Sequence, residues 1–501
     1  MFLPVLLWTD VLIFLLLAAS AGFAVYIGRR EYLRAPWQRV VQSPVAVGAG
    51  VVLGLIVLVG VLDSIHFRVA LSPQAALSRS AAAGAPSVGL SWAPEVVSVL
   101  DVLLGRVASR RERTYSAPLA TRAFSRETIE QPDGRQVREY PRLRHGGAHL
   151  SDPDREWASD VTVRVLRGIG LAVALWCALT ATLLAASRPE RLSLPRYADQ
   201  SWRNGGLQFA WRGVFIALAG VLLVACPMAF LSAEYHVLGT DKVGQDVLYL
   251  ALKGIRTALV IGTLTTLVML PFAILFGIAA GYLRGWMDDL IQYVYTMLNS
   301  IPAVLLIAAA VLVLQVQLDA RPEMFPTAAQ RADVRLLFLC IILGVTSWTG
   351  LCRLLRGESL KLREMEFVQA ARAFGVSKTQ IMARHILPNV LHVIIIAVVM
   401  DFSGLVLAEA VLSYVGVGVD PTMISYGTMI NSARLEMGRE PMVWWSLASA
   451  FGFMLVIVLA ANLFADAIRD AFDPRIVMRR PDSTSEVPAE PAFAQRKGGS
   501  A

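Results

Sequence analysis

Nine apolar runs, each close to the length of a bilayer-spanning helix, limit what this chain can fold into more than any other feature. They cover residues 3–25, 45–62, 168–186, 214–231, 257–282, 290–314, 336–352, 390–415 and 443–465. A helix rises about 1.5 Å per residue, so about 20 mostly apolar residues cross a hydrocarbon core of roughly 30 Å. Lipid offers no partner to backbone N–H and C=O groups, which leaves helices as the way for such runs to span. Composition agrees: 56% of the 501 residues are hydrophobic and 17% charged, against about a quarter charged in soluble domains. The expected fold is an all-α, polytopic membrane helix bundle.

Arginine sets the sidedness. Arg29, Arg30, Arg34 and Arg39 follow the first run, and Arg188, Arg191, Arg196 and Arg203 follow the third. Arg353, Arg356, Lys361, Arg363, Arg372, Lys378 and Arg384 lie between the seventh and eighth, and Arg475, Arg479 and Arg480 follow the ninth. With nine passes, all four regions fall on one side, which the positive-inside rule makes cytoplasmic. The first run has its basic residues after it, the reverse of a cleaved signal peptide, so it is expected to stay as a helix with its N-terminus outside. The net charge of +8 is accounted for by these flanks, and no nucleic-acid partner is expected.

Residues 63–167 then lie outside. Within them, residues 93–107 read as an amphipathic helix on the membrane surface, and residues 127–140 as a hairpin around Pro132-Asp133-Gly134. Residues 481–501, rich in Pro, Ser, Ala and Gly, are expected to be disordered.

Catalytic and metal chemistry find little footing. Cys177, Cys226, Cys340 and Cys352 lie within or at the end of apolar runs without ligand spacing, and read as packing residues. His145 and His149 are separated by two glycines and one alanine, a poor helical metal pair, so no metal or cofactor is expected. No phosphate-binding G-x-x-x-x-G-K-[ST] loop occurs, and none of the five lysines follows a glycine. The chain is not expected to be an enzyme, and any ATP hydrolysis must sit on another subunit. In the eighth run, Asp401, Ser403 and Glu409 are either part of a translocation route or partners of a neighbouring helix. Pro302 is expected to kink the sixth run.

One polar stretch interrupts this apolar chain, "FVQAARAFGVSKTQIMARHILPN" from residue 367 to 389. Residues 358–374 suit a helix, Gly375 offers a left-handed cap, and Ser377 with Gln380 can form a capping box. Pro388 marks the start of the next membrane helix. Two short helices at the cytoplasmic surface result, with Ala370, Ala371 and Gly375 as a small-residue face.

Gln369-Ala370-Ala371, Gly375 and Leu387-Pro388 resemble the EAA loop of ABC importer permeases, the element that docks on the ATPase; Glu366 belongs to the same loop. Gln369 stands where Glu is usual and His385 where Ile is usual, as in the dipeptide/oligopeptide/nickel branch. The segments "HVLGTDKVGQDVLYLALKGIRTALVIG", "GYLRGWMDDLIQ", "LAEAVLSYVGVGV", "SYGTMI" and "NLFADAIRDAFDPR" are similar to that branch, in order, over residues 236–475. The resemblance implies a type I ABC importer permease core of about six helices in the bacterial inner (plasma) membrane. It also implies a homologous second permease subunit, two cytoplasmic ABC ATPase subunits, a periplasmic substrate-binding protein, and lipid around the bundle.

The N-terminal half departs from that family. Relatives have one helix before "LGTD" and this chain has four; residues 37–62 read like the family's first. The expected division is 1–62 N-terminal membrane helices, 63–235 an insertion with a periplasmic segment and two further membrane helices, 236–475 the permease core, and 476–501 a cytoplasmic tail. The implied function is a permease moving substrate, peptides foremost, by alternating access. An ion-driven secondary transporter would also carry buried carboxylates, but it needs no coupling hairpin and no inverted repeat is visible. A membrane-anchored enzyme would need a catalytic constellation within residues 63–167, and none is recognisable.

Overall fold

A computed structural model describes residues 2–29, 31–70, 92–93, 96–130, 136–187, 194–203, 209–321 and 327–472. The turn of the expected 127–140 hairpin and the expected disordered tail fall outside these residues. Among them, eight helices are long and apolar enough to span a membrane, or nine if one bent pair is a single pass.

The chain opens with a short strand, β1 (Phe2–Val5), where the sequence suggests the start of a helix. It runs into α1 (Trp8–Gly28), the polar α2 (Glu31–Gln42) and α3 (Pro44–Ser64), capped by Ser43 through Ala46 N–H. Strand β2 (His66–Val69) pairs antiparallel with β1 and with β3 (Val97–Ser98), tying the start of the chain to the lobe formed by the described part of residues 63–152, termed outer after the side on which the arginine pattern is expected to put it. The expected amphipathic helix over 93–107 is instead β3 followed by two single-turn helices, α4 (Val99–Leu103) and α5 (Gly105–Ser109). Leu104 leaves helical geometry just before Gly105, whose unrestricted backbone loses more freedom in a helix than that of a residue with a side chain. The expected hairpin is present as β4 (Glu127–Glu130) and β5 (Gln136–Glu139).

Two further spanning helices follow, α6 (Pro153–Ser187) and α8 (Trp211–Ser232), joined through the polar α7 (Leu194–Arg203). They pack side by side, and α8 also packs on α3. Glycines permit these approaches: a Cβ at Gly168 would stand 2.5 Å from Pro227 Cα, and one at Gly213 2.2 Å from Pro44 O.

The C-terminal half holds the main bundle. Its longest helix is α9 (Val247–Leu283), which starts ten residues before the expected apolar run, with Lys253 and Arg256 inside it. The next run is not one kinked helix. It is α10 (Trp286–Ser300) and α11 (Ala303–Ala320), bent by 85° at Ile301-Pro302. Proline forces its predecessor out of the helical region, and Ile301 is extended, so Pro302 breaks the helix rather than bending it.

Helices α12 (Ala328–Ser347) and α13 (Thr349–Arg363) run nearly end to end, followed by the short α14 (Glu366–Ala373) and α15 (Lys378–Ile381). A π-helical turn (Met382–Ile386) leads into α16 (Leu387–Val415); α17 (Tyr426–Glu436) and α18 (Trp445–Phe472) end the described chain. One apolar cluster, including Val247, Ala251, Tyr426 and Trp445, fills the outer half of the bundle. Another, including Leu355, Val368, Ile381 and Ile386, fills the inner half.

Helix α9 reaches α13 along a seam of small residues. A Cβ at Gly277 would stand 2.8 Å from Leu355 Cβ and 2.9 Å from Cys352 O, and one at Gly281 2.6 Å from Arg356 O. Four residues apart, these glycines form the small-xxx-small pattern that lets membrane helices pack backbone to backbone. Gly281→Leu must push the helices apart, because the obstacle is main chain. The expected loss is about 1–3 kcal/mol, read as a lower unfolding temperature of the purified protein. Gly452→Leu, where an added Cβ meets nothing within 4 Å, should change it little.

Candidate functional site

The polar stretch is a helical hairpin protruding from the inner end of the bundle. The sequence suggests one helix over 358–374, but the chain breaks at Glu364 and Met365, where Met365 is extended. The break turns Val368 and Ala371 into the inner apolar cluster. Gln369 compensates for it, its Nε2–H donating to the Glu364 carbonyl at 3.1 Å. A carboxylate at this position could not make that bond.

At its far end α14 closes with a Schellman motif. Val376 N–H bonds Ala371 O at 3.1 Å and Gly375 N–H bonds Arg372 O at 3.1 Å, with Gly375 left-handed at φ +75°. An added Cβ there meets nothing within 4 Å, so this glycine serves the turn rather than a contact within the chain. Ser377 Oγ accepts from Gln380 N–H at 3.4 Å, the Ser377 half of the expected capping box.

The outward face comprises Glu366, Gln369, Ala370, Arg372, Gly375 and Lys378, with Phe374 at the tip 87% exposed. Ala371 does not share it, because the i, i+3 spacing from Val368 turns it inward. Below, Leu387 N–H bonds Met382 O through the π turn. That wider turn comes directly before Pro388, which has no N–H to donate. Asn389 Nδ2–H caps His385 O at 2.6 Å. The second arm of the hairpin is therefore continuous with α16, and Lys378–Val415 is one spanning unit.

The hairpin is joined to the bundle through α13, where Arg356 grips Asp288 of α10 with both ends of its guanidinium at 2.7 and 2.8 Å. Asp288 lies in the first turn of α10, where a negative charge is favoured.

The candidate route residues are not brought together as one site. Glu409 is buried and accepts Ser413 O–H at 2.7 Å and Ser425 O–H at 2.9 Å, bracing α16 against the cap of α17. Ser403 donates to Asn462 Oδ1 of α18 at 2.5 Å and to Met400 O. Asp401 is half-buried and has no partner among the described residues, and Pro302 marks the α10–α11 break. His149 is committed to Asp160 and Glu234, and no group of metal-binding side chains occurs among the described residues.

A second polar assembly escapes sequence reading. Asp246, Tyr249, Lys253 and Arg256 recur at i, i+3, i+7 and i+10, one face of a helix at about 3.6 residues per turn. Each holds part of the N-terminal half. Asp246 Oδ2 meets His236 Nδ1 at 2.7 Å, and His236 Nε2 lies 3.5 Å from Glu112. Tyr249 O–H and Lys253 N–H donate to Asp101 at 2.8 and 2.7 Å. Arg256 donates to Asp10 at 2.6 Å and to Thr9 at 3.1 Å. Asp333 of α12 completes the last rung through Thr9, and His66 meets Asp10 at 2.7 Å. The recurrence of polar residues at helical spacing was the available signal.

Sequence comparison finds the family "Binding-protein-dependent transport system inner membrane component" over residues 273–478. The oligopeptide transport system permease protein OppC of Mycobacterium tuberculosis (strain ATCC 25618 / H37Rv) is 32% identical over 239 residues, 48% of this chain and 76% of the relative. The glutathione transport system permease protein GsiD of Pectobacterium atrosepticum is 31% identical over 48% of this chain and 73% of its own length. The dipeptide transport system permease protein DppC of Lactococcus lactis subsp. cremoris is 30% identical over 48% and 64%.

The His236 junction lies outside the spanning helices and makes the outer lobe sensitive to pH. Burial opposes charge on His236, but Asp246 and Glu112 outweigh it and raise the imidazole to about 9 from 6.5. Burial likewise opposes charge on Glu112, but His236 and the N–H groups of Arg144, His145 and Gly146 lower it to about 2 from 4.5. Stability from the raised histidine is complete below about pH 6.5 and lost as pH rises through about 9; that from the depressed glutamate is complete above about pH 4.5 and lost as pH falls through about 2. Thermal unfolding followed by fluorescence should therefore show stability falling between about pH 7 and about pH 9.5. His236→Gln should flatten that alkaline limb; an unchanged limb would place the titrating group elsewhere.

Proposed function

The chain belongs to the binding-protein-dependent transport system inner-membrane components, the permease subunits of ABC importers, and from that membership we propose that it carries peptides inward with ATPase partners driving it through the hairpin. It is a multi-pass protein of the inner membrane and not itself an enzyme; ATP hydrolysis belongs to a separate subunit. Peptide cargo is the reading supported by the oligopeptide, dipeptide and glutathione permeases named above. The ion-driven alternative draws no support from them.

In this proposal the working assembly contains a second, homologous permease, two cytoplasmic ATPases and a periplasmic binding protein that delivers substrate. The observation that carries it is the hairpin itself: exposed at its tip, stiffened by the Gly375 cap, and seated by Val368, Ala371, Ile381 and Ile386 in the inner cluster. Closure of the ATPases pushes on Phe374, Ala370 and Gly375. The rigid connections to α13 and α16 carry that displacement into the bundle, and the bundle opens to the other side. Such a switch needs the ATPase to bind the two states differently. Asp401 lines the route, since it is the one candidate carboxylate left without a partner among the described residues, whereas Glu409 is a brace.

The test is Gly375→Val. Strain at a left-handed position is about 1–3 kcal/mol, and the position is open, so insertion and folding should survive. Transport should be lost, with the ATPase either released or hydrolysing without transport. Lys378→Gln, at an exposed charge, should do much less. Both variants are compared for transport and ATPase copurification at matched membrane levels. Normal transport by Gly375→Val would place the coupling element elsewhere.

A further inference from the structure

An apolar crevice of about 210 Å³ lies between α1, α3 and α9. Ile13, Leu16 and Leu17 form one wall, Val57 and Val61 a second, and Leu259 the third, with Ser20 at the exposed margin. The polar atom of Thr263, which also borders the space, is turned back onto its own helix, where its hydroxyl donates to Leu259 O at 2.6 Å. The wall offered to an occupant is therefore hydrocarbon.

Three helices fix the depth of this space. Its outer limit is the Arg256 rung, and residues 13–20 of α1 run inward from there. At about 1.5 Å per residue that is roughly 10 Å, within the roughly 15 Å thickness of one leaflet's hydrocarbon. The space exceeds an apolar cavity of about 150 Å³ that accepts a benzene-sized guest. Left empty, its walls would forfeit dispersion contacts. Water has no polar partner on the hydrocarbon wall, and the surrounding medium is lipid.

We propose that this crevice is a binding site for one acyl chain of an outer-leaflet phospholipid, wedged between the N-terminal helix and the permease core. Arg256 sits at the mouth but supplies no uncompensated charge for a headgroup, because it is ion-paired with Asp10 and its Nε and Nη2 are held by Asp10, Ser64 and Thr9. The site therefore selects the chain and is indifferent to headgroup charge. Its occupant packs α1 against the bundle below the point where the ion cluster stops, and this conclusion does not depend on the cargo or on the ATPase.

The experiment uses the full chain in nanodiscs made with phospholipid brominated in mid-chain. Leu17→Trp places a reporter in the crevice, and Val25→Trp, at a residue 58% exposed on the same helix, places one against bulk lipid. After transfer to detergent that strips loosely held lipid, the added fluorescence at position 17 should stay quenched while that at position 25 recovers. Phosphatidylglycerol and phosphatidylcholine with the same chains should quench position 17 equally. The double variant Ser20→Phe/Thr263→Leu fills the space and should abolish the retained phospholipid in native mass spectrometry, with unfolding temperature unchanged or raised. Recovery at both positions would mean ordinary surrounding lipid, and a requirement for the anionic headgroup would mean headgroup capture. Crosslinking of Leu17→Cys to another subunit would mean a protein occupant. Each of these three results overturns the proposal.

Discussion

The polar stripe on the outer third of α9 decides how this chain is put together. Charges within a membrane helix are costly unless paired, and Lys253 and Arg256 meet that cost by gripping Asp101 and Asp10. Neither partner lies in the segment that resembles the family. Removing either partner would leave only a longer pairing, Lys253 with Asp63 at 3.5 Å or Arg256 with Asp333 at 4.0 Å. The stripe therefore makes the N-terminal half part of the permease body. The outer lobe adds apolar contact to this grip: Tyr115 lies in the same cluster as Val247 and Trp445. Its main chain also lies so close that a Cβ at Gly244 would stand 2.0 Å from Glu112 O.

The two ends of α9 consequently do different jobs. Its outer end holds the added helices and lobe through ions and hydrogen bonds. Its inner end meets α13 through Gly277 and Gly281, with main chain against main chain. Helix α13 runs on toward the hairpin and is pinned to α10 by the Arg356–Asp288 fork. In the proposed cycle a displacement at the hairpin would reach the outer surface through these close-packed elements. The π turn and Pro388 let the second arm continue into α16 without an unpaired N–H at residue 388.

Much of this was legible in the sequence, because the signals were local. Apolar length gave the spanning helices, Gly375 gave the left-handed cap, and Ser377 gave the start of the second short helix. The Pro-Asp-Gly triplet gave the β4–β5 pairing. What escaped depended on partners distant in sequence. The apolar run begins only at residue 257, because Lys253 and Arg256 look too polar for a membrane helix; partners far away in sequence, Asp101 and Asp63 for the one and Asp10 for the other, make them acceptable there. The sequence puts Ala371 on the small-residue face with Ala370 and Gly375; the break at Glu364 and Met365, which turns it inward, follows from burial of Val368. Pro302 alone predicts a kink; the 85° break reflects extended Ile301 together with the separate packing of α10 and α11.

The central claim, that the outer lobe and the core form one rigid unit through α9, is tested most directly by a distance measured during the transport cycle. Spin labels at Arg138→Cys, exposed on β5, and Leu435→Cys, 68% exposed on α17, would report the lobe-to-core separation by pulsed electron resonance in the assembled transporter. A single distance, the same without nucleotide and in the vanadate-trapped state and broadened by Lys253→Met, is the predicted result. A distance that changes between the two states in the unaltered chain would contradict it, because the lobe would then move independently of α9.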